Sequence, residues 1–578
     1  MTHALWLRRT STENNTDPET LDIPLITTRD KQGVMEVSFQ HANPYSGHES
    51  VLVRLSGGVT DQTACILFDS GTDVDIDGLL EDDEYLTAIV LTHAHLDHYA
   101  TLGTNLRDGA PVYTSEPTAA ILDTVLTEAA TNYDISNVDA VVDALEPISD
   151  WTTVLGDIEI RPVPAGHTPG AAGFLIRFDD GGETRTMLAT GDWTQRSAAG
   201  FSGLPTTLSP DAVFLTGATN EEFESDLTAA VETILERVQA GSTVLVTASG
   251  LAGVHIAALL AELDTVDIDP PSLSITGHAA KLYETLGYDH PTVTSVPTFD
   301  DPDAILEPGA VTIAGPEVPV EGSAAKFYDC VQDDPGATLV QLTSGSVSPV
   351  ESAGCTVDHF QYSNHPPEAA VDDLVEDLAP RQVVIMHQSG PALSRYKDRY
   401  DSFVWATTDR DEYKIYEDGT WVAPPWVNDR VARRLRSQQY GNGSSLGSFI
   451  ASEGALPDVE RSEISLEAEG LDVSSLRTQF RQSAPELSKS KSATQYSDSP
   501  VEGENSDDIE HVNEIESRLS RLEAALTDRD DPGSKTHQVR VVDAGDGSLF
   551  LRLCNPDDVD QSLNHGDTVT IRLQNTPD

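Results

Sequence analysis

The sequence predicts an α/β protein, and three observations carry that prediction. From about residue 35 to 427, apolar runs of strand length alternate with longer runs of helical period. Residues able to bind a metal stand directly after several of the strand-like runs. The 578 residues also exceed what one core supports, so about two to four domains are expected.

Strand-like runs fall at 50–55, 65–68, 88–91, 158–163, 173–177, 186–189, 212–215, 243–247, 311–314, 338–342 and 382–386. Helical periodicity fits 117–131, 226–239, 254–263, 279–286 and 367–377. From 428 to 508 the chain turns rich in Ser, Gly, Asp and Glu and poor in apolar residues, which predicts an acidic linker, mostly disordered. Over 509–527, apolar residues recur at steps of three and four, as in a short coiled coil or a docked helix. Runs at 538–542, 548–553 and 568–573, with Asp-Gly and His-Gly turns, predict a small β unit over 536–574.

The formal net charge is −61, and the acids are spread along the whole chain while lysine is scarce. This resembles the surfaces of proteins from salt-accumulating halophilic archaea, where high salt screens the repulsion among carboxylates. The charge therefore reports habitat more than partner. Cys65, Cys330, Cys355 and Cys554 lie far apart with no Cys-x-x-Cys pair, as expected of reduced thiols in a cytoplasmic protein. The first residues have no apolar core of signal-peptide length, and no stretch approaches a membrane span, so no membrane association is expected. Arg430, Arg433, Arg434 and Arg436 form the densest basic cluster, read first as a solvated helix face and second as an RNA-backbone contact.

The chemistry concentrates in Thr92-His-Ala-His-Leu-Asp-His98. His93, His95, Asp97 and His98 follow a strand-like run, and a turn there can fan them toward one point, which a straight strand cannot. Mixed imidazole and carboxylate donors suit zinc used as a Lewis acid. Three further segments extend the pattern, each after a strand-like run: Asp69-Ser70-Gly71, Gly166-His167-Thr168, and Thr190-Gly191-Asp192.

In this order, these segments resemble the metallo-β-lactamase superfamily. The resemblance implies a four-layer αββα sandwich over 35–210 and 351–427, with two Zn2+ at one rim. It also implies the roles: His93, His95 and His167 hold one zinc; Asp97 and His98 hold the second; Asp192 bridges them; Asp69 orients ligands from behind. The long interval between Asp192 and His365, with strand-turn-helix pieces beginning at Ser242 and Val311, is similar to the inserted α/β cap of the β-CASP nucleases, expected here over 211–350. Tyr362-Ser-Asn-His365 and Val383-Val-Ile-Met-His387 resemble two further motifs of that group. On that likeness His387 completes the second zinc, while Asp97, Asp192 and His365 serve catalysis.

The implied activity is that of a ribonuclease, endo- or 5′-exo-acting, which cleaves RNA phosphodiesters with a water activated by the two zincs. RNA is then the expected partner, and a homodimer a further expectation from 509–527. Two other readings stand beside it: a hydrolase of small esters or phosphodiesters, and a weakly active RNA-binding scaffold. The second draws on Gly217, which occupies a position where the family carries an acid, with Glu221 and Glu222 the nearest acids in sequence. Asn364, Pro366 and Gln388 also depart from the family pattern.

Overall fold

A computed structural model describes residues 35–58, 62–345, 347–441, 456–480, 539–543 and 549–553. The first sheet is built from β1 (Glu36–His41), β2 (Val51–Ser56), β3 (Ala64–Phe68), β4 (Leu86–Val90), β5 (Val112–Ser115) and β6 (Leu145–Ile148). The second holds β7 (Thr152–Leu155), β8 (Ile158–Pro164), β9 (Ala172–Asp180), β10 (Glu183–Ala189) and β11 (Ala212–Thr216). A third holds β12 (Thr243–Thr247), β13 (Leu273–Thr276), β14 (Val293–Val296), β15 (Val311–Ala314), β16 (Ala337–Thr343) and β17 (Thr356–Gln361). The chain then returns: β18 (Gln382–Met386) and β19 (Phe403–Trp405) complete the second sheet, while β20 (Tyr413–Glu417) and β21 (Thr420–Trp421) complete the first. The strand orders are β21-β20-β1-β2-β3-β4-β5-β6, β19-β18-β11-β10-β9-β8-β7 and β14-β13-β15-β12-β16-β17.

The first two sheets form a metallo-β-lactamase-type sandwich, and side-chain alternation shows why. Phe174, Ile176 and Phe178 of β9 face the core shared with Val37, Phe39 and Val53 of the first sheet. Leu175 faces the other way, into a second cluster with Val371, Leu374 and Val375 of the helix Glu368–Leu378. The same division holds for Phe214 against Val213 in β11, and for Val384 against Val383 in β18. Strands buried on both faces read as continuous apolar runs, which is how they stood out in the sequence. Beyond the first sheet, the helix Glu116–Ala129 buries Ile121, Leu122, Val125 and Leu126.

The third sheet is wholly parallel, with helices on both faces. Val244 and Val246 of β12 join Leu227, Val231 and Val254, while Leu245 joins Phe327 and Val331. Its bounds correct the expected 211–350. Residues 212–216 pair between β10 and β18 in the sandwich, and β17 pairs with β16 in the cap, so the insertion runs from after β11 to the end of β17. Composition could not resolve this. An Ala-Val-Phe-Leu-Thr run suits either sheet, and β17 is a half-polar edge strand, Thr-Val-Asp-His-Phe-Gln, with little apolar signal.

A second correction concerns 428–508. Two helices, Asp429–Gly441 and Val473–Phe480, lie inside the expected linker. Ala432 and Leu435 of the first pack on Phe403, leaving Arg430, Arg433, Arg434 and Arg436 on its exposed face. Segment 456–480 buries Leu466, Leu471, Val473, Leu476 and Phe480. It is tied to the cap where the Asp472 amide donates to the Thr228 hydroxyl (3.0 Å) and Arg477 donates to the Val266 carbonyl (3.0 Å). Widely spaced apolar residues among acids carry little periodic signal, yet they suffice when a groove is already present. The expected coiled coil at 509–527 lies outside the described residues. Residues 482–578 form a separate unit, in which β22 (Val539–Asp543) and β23 (Leu549–Leu553) pair as an antiparallel hairpin. The expected third strand at 568–573 lies outside the described residues. Among the described residues no helix is long and apolar enough to cross a membrane.

Candidate metal centre

Strand ends assemble the site. Asp69 follows β3 with a left-handed backbone (φ 56°), His93 and His95 follow β4, and Asp97 and His98 sit on the short helix Leu96–Tyr99. His167 follows β8, Asp192 follows β10, and His387 follows β18, again left-handed (φ 50°). His365 reaches the same rim from the turn after β17. Gly191 (φ 56°) lets this happen: a Cβ there would lie 2.6 Å from the Thr92 Cβ, so only glycine brings the Asp192 turn against the β4 turn.

All nine residues singled out from the sequence meet. His93, His95 and His167 offer ring nitrogens within 4.8 Å of one another, and two further groups, His93, His98 and Asp192, and His167, Asp192 and His365, bring ring nitrogens and a carboxylate oxygen as close. Asp192 is the hub. Its Oδ2 lies 3.4 Å from His98 Nε2 and 3.8 Å from both His167 Nε2 and His365 Nε2, and its Oδ1 is 2.9 Å from His387 Nδ1. Asp97 Oδ2 stands 3.8 Å from His98 Nε2 and 3.9 Å from His387 Nε2.

The rings are held from behind. Asp69 accepts the Thr92 amide (2.8 Å) and the Thr92 hydroxyl, and lies 2.8 Å from His98 Nδ1. The Thr92 hydroxyl also meets His93 Nδ1 (3.0 Å), and His167 Nδ1 donates to the Asn364 carbonyl (2.9 Å). Each of these rings therefore spends one nitrogen on the scaffold and turns the other inward. The inward His93 Nε2 and His98 Nε2 are buried with no hydrogen-bond partner, as is His365 Nδ1. Imidazoles oriented in this way by a carboxylate, hydroxyl or carbonyl are the donor arrangement of a metal site, so the residues present fit a divalent cation.

The charges agree. Burial opposes ionisation of Asp192, but His387, His98 and His365 overcome it and hold the carboxyl well below its ordinary range. Burial likewise works to lower His98, yet Asp192, Asp69 and Asp97 push it well above the usual imidazole value. His387, opposed by burial and favoured by Asp192, rises to about 9. Burial drives His93 well down, His167 to about 4 and His365 to about 3. Asp97 and Asp192 stay ionised and His93, His95, His167 and His365 neutral, the states in which such groups ligate, whereas His98 and His387 hold protons that a bound cation would displace.

Several contributors escaped the sequence reading. Glu49 lies behind the rim, its carboxyl raised to about 7 by burial and partly restored by His98 and His387. It accepts from Asn43 Nδ2 (2.5 Å), and a Cβ on Gly71 would collide with it. The His48 carbonyl accepts the His387 amide (2.7 Å). A single acid in a turn carries no periodic or motif signal; only the neighbouring His48 could have drawn attention to it. Arg196 donates to Asn364 Oδ1 (3.0 Å) and to the His365 carbonyl (2.6 Å), fixing the turn that carries His365.

Two departures noted in the sequence are neighbours in space. The Gly217 carbonyl accepts from Gln388 Nε2 (3.0 Å) and the Tyr396 hydroxyl (3.2 Å), and a Cβ at 217 would meet Ile385, Tyr396 and Gln388 at 3.2–3.4 Å. The space an acid would need is hemmed in by Ile385, Tyr396 and Gln388 together. Glu221 does not replace it: its carboxylate accepts the Glu368 amide (2.7 Å) at a helix start. Glu222 is exposed.

Comparison with known proteins bears on this geometry. A family model described as a beta-lactamase superfamily domain matches residues 65–246. A probable metallo-hydrolase of Streptococcus pyogenes, M6_Spy0554, is 32% identical over 178 residues, covering 28% of this chain and 71% of that protein. Ribonuclease TTHA0252 of Thermus thermophilus is 33% identical over 124 residues, covering 20% of this chain and 28% of its own. Endoribonuclease YSH1 of Mycosarcoma maydis is 30% identical over 125 residues, covering 19% and 14%. The matched region thus spans under a third of either ribonuclease. Among solved structures, a protein of unknown function from Enterococcus faecalis aligns with a TM-score of 0.47 at 15% identity, covering 66% of this chain and 100% of that one.

Proposed function

We propose, from the premise that this chain belongs to the metallo-β-lactamase superfamily, that it is a two-zinc ribonuclease hydrolysing RNA phosphodiesters. The observation that carries the reading is the arrival of His365 and His387, from beyond the inserted cap, at the Asp192 hub. The two ribonuclease-named relatives support the choice of substrate.

His93, His95 and His167 would hold one zinc, Asp97, His98 and His387 the other, and Asp192 would bridge them. When bound, such ions supply a Lewis acid for a phosphoryl oxygen and lower the pKa of a water at the site. The chain's own work is orientation and proton transfer. Asp69 and Thr92 fix the tautomers of His98 and His93 so that the inward nitrogens carry lone pairs. Asp192 takes the proton of the attacking water as its oxygen bonds to phosphorus. Neutral His365, at the cap-side face with Nε2 3.8 Å from Asp192 Oδ2, receives that proton and delivers it to the leaving oxygen as the P–O bond breaks. Cytoplasmic location, high-salt operation and the choice between endo- and 5′-exo cleavage belong to the same proposal.

The test is cleavage of 5′-monophosphate, 5′-triphosphate and circular RNAs with zinc in high salt, beside small chromogenic esters. RNA cleavage that falls about 10²- to 10⁴-fold in His365→Ala is the expected result. Ester turnover without RNA cleavage would overturn it. Gly217 favours a second reading, an RNA-binding subunit with weakened cleavage. Tight binding of RNA left uncut by both wild type and His365→Ala would support that reading instead.

A further inference from the structure

A buried carboxylate must be met by hydrogen bonds or give up its charge. Glu469, in segment 456–480, is fully buried (0% exposed). Its Oε2 accepts the Ala199 amide (2.7 Å) and its Oε1 the Gly200 amide (2.8 Å). Ala199 (φ 52°) and Gly200 (φ 88°) are consecutive left-handed residues, which turn their N–H groups into one anion-binding concavity. Gly200 has no alternative there, because a Cβ would lie 2.6 Å from the Ser462 carbonyl oxygen.

The chain of contacts continues. His255 Nε2 lies 2.8 Å from Glu469 Oε2, and His255 Nδ1 lies 2.8 Å from the Tyr362 hydroxyl. A carboxylate only accepts, so His255 Nε2–H donates to Glu469, while Nδ1 on the other side of the ring meets the Tyr362 hydroxyl. Four separate pieces of the molecule meet at this point. Ala199 and Gly200 belong to the turn after Asp192, and His255 to the cap helix Gly250–Ala261. Tyr362 begins the turn that ends in His365, and Glu469 comes from the late segment.

A second route joins the same places. The Ser197 amide donates to the Ala468 carbonyl (2.9 Å), and the Ser462 amide to the Gly200 carbonyl (2.9 Å), so the late segment clamps the 197–201 turn on either side of Glu469. Arg196, next to that turn, holds Asn364 and the His365 carbonyl.

We propose that Glu469 is a positioning residue: segment 456–480 latches the cap to the sandwich and fixes the Tyr362–His365 turn, so the placement of His365 depends on a carboxylate that touches neither the metal ligands nor the substrate. Its catalytic consequence rests on the reading of His365 as the proton donor; the latch itself does not.

The test uses the full chain and two variants. Glu469→Gln keeps the size and removes the charge, while Tyr362→Phe removes only the terminal hydroxyl. Amide hydrogen exchange is expected to accelerate about tenfold, the scale of one lost buried hydrogen bond, over 196–201, 361–366 and 456–480 in Glu469→Gln. Tyr362→Phe is expected to accelerate 361–366 alone, with 456–480 still protected. On RNA, both variants should lower kcat by about tenfold with KM and bound zinc unchanged. Acceleration confined to 456–480 in Glu469→Gln, or unchanged exchange over 361–366 in Tyr362→Phe, would overturn the latch. Should Glu469→Gln fail to fold, the Tyr362→Phe arm decides alone. A wild type that cleaves no RNA refutes the ribonuclease reading and leaves the exchange result standing.

Discussion

The rim around Asp192 and the cluster around Glu469 are both buried sets of ionisable side chains shared between sandwich and cap, yet they are built oppositely. Around Glu469, the carboxylate, both His255 nitrogens and the Tyr362 hydroxyl all find partners within the chain. At the rim, His93 Nε2, His98 Nε2 and His365 Nδ1 find none, and His48 Nδ1 and Glu49 Oε2 behind it are likewise unanswered. A buried polar atom without a partner costs about 1–3 kcal/mol. A fold retains a convergent group of them where a ligand from outside completes the set. The satisfied cluster holds the chain together; the unsatisfied one is shaped for something the chain does not contain.

The largest effect separates the two directly. Glu469→Leu leaves His255 and two amides unanswered and should cost about 3–5 kcal/mol in urea unfolding, since each buried donor without an acceptor costs about 1–3 kcal/mol. His93→Leu, measured with a chelator present, should cost little or raise stability, because it removes Nε2, which had no partner, and Nδ1, whose Thr92 hydroxyl keeps its bond to Asp69. Equal losses at both positions would break the comparison.

His41 supplies a third kind of buried group. It lies 3.2 Å from the Thr407 hydroxyl, and burial lowers its pKa to about 4 against the partial support of Asp409. The folded state then binds fewer protons than the unfolded state between about pH 4 and 6.5. Its contribution is therefore fully present above pH 6.5 and is lost as pH falls toward 4, by up to about 3 kcal/mol. His41→Gln should flatten the pH dependence of the urea midpoint over that window; an unchanged slope would show that His41 is not the group responsible.

A smaller effect probes the residues behind the rim. Asp69→Asn retains the shape but weakens the hold on His98 Nδ1, and should lower zinc affinity about 10- to 100-fold with little change in stability of the metal-free protein. A loss of stability without a loss of affinity would place Asp69 with the structural cluster instead.

The rim was legible in the sequence because Asp69, His93, His167, Asp192 and His387 come just after buried strands whose apolar runs are conspicuous, and because four candidate residues crowd into 93–98. The cap was legible as an insertion but not in its bounds, since strand partnership at 212–216 and 356–361 is decided by pairing, not by composition. The latch was not legible. Leu466, Leu471 and Leu476 sit among Glu and Ser in a stretch that reads as linker, and Glu469 gains its meaning only from the Ala199–Gly200 concavity that receives it. Glu49 was missed for the same reason, being one acid in a turn whose surroundings the fold supplies.

The central claim is that the unsatisfied rim binds two metal ions, and zinc content of the dialysed full chain tests it most directly, measured for wild type, His95→Ala, His387→Ala and Glu469→Gln. The account predicts about two zinc ions per chain in wild type and in Glu469→Gln, falling in each rim variant. Wild type without bound zinc, or rim variants that keep the full amount, would contradict it.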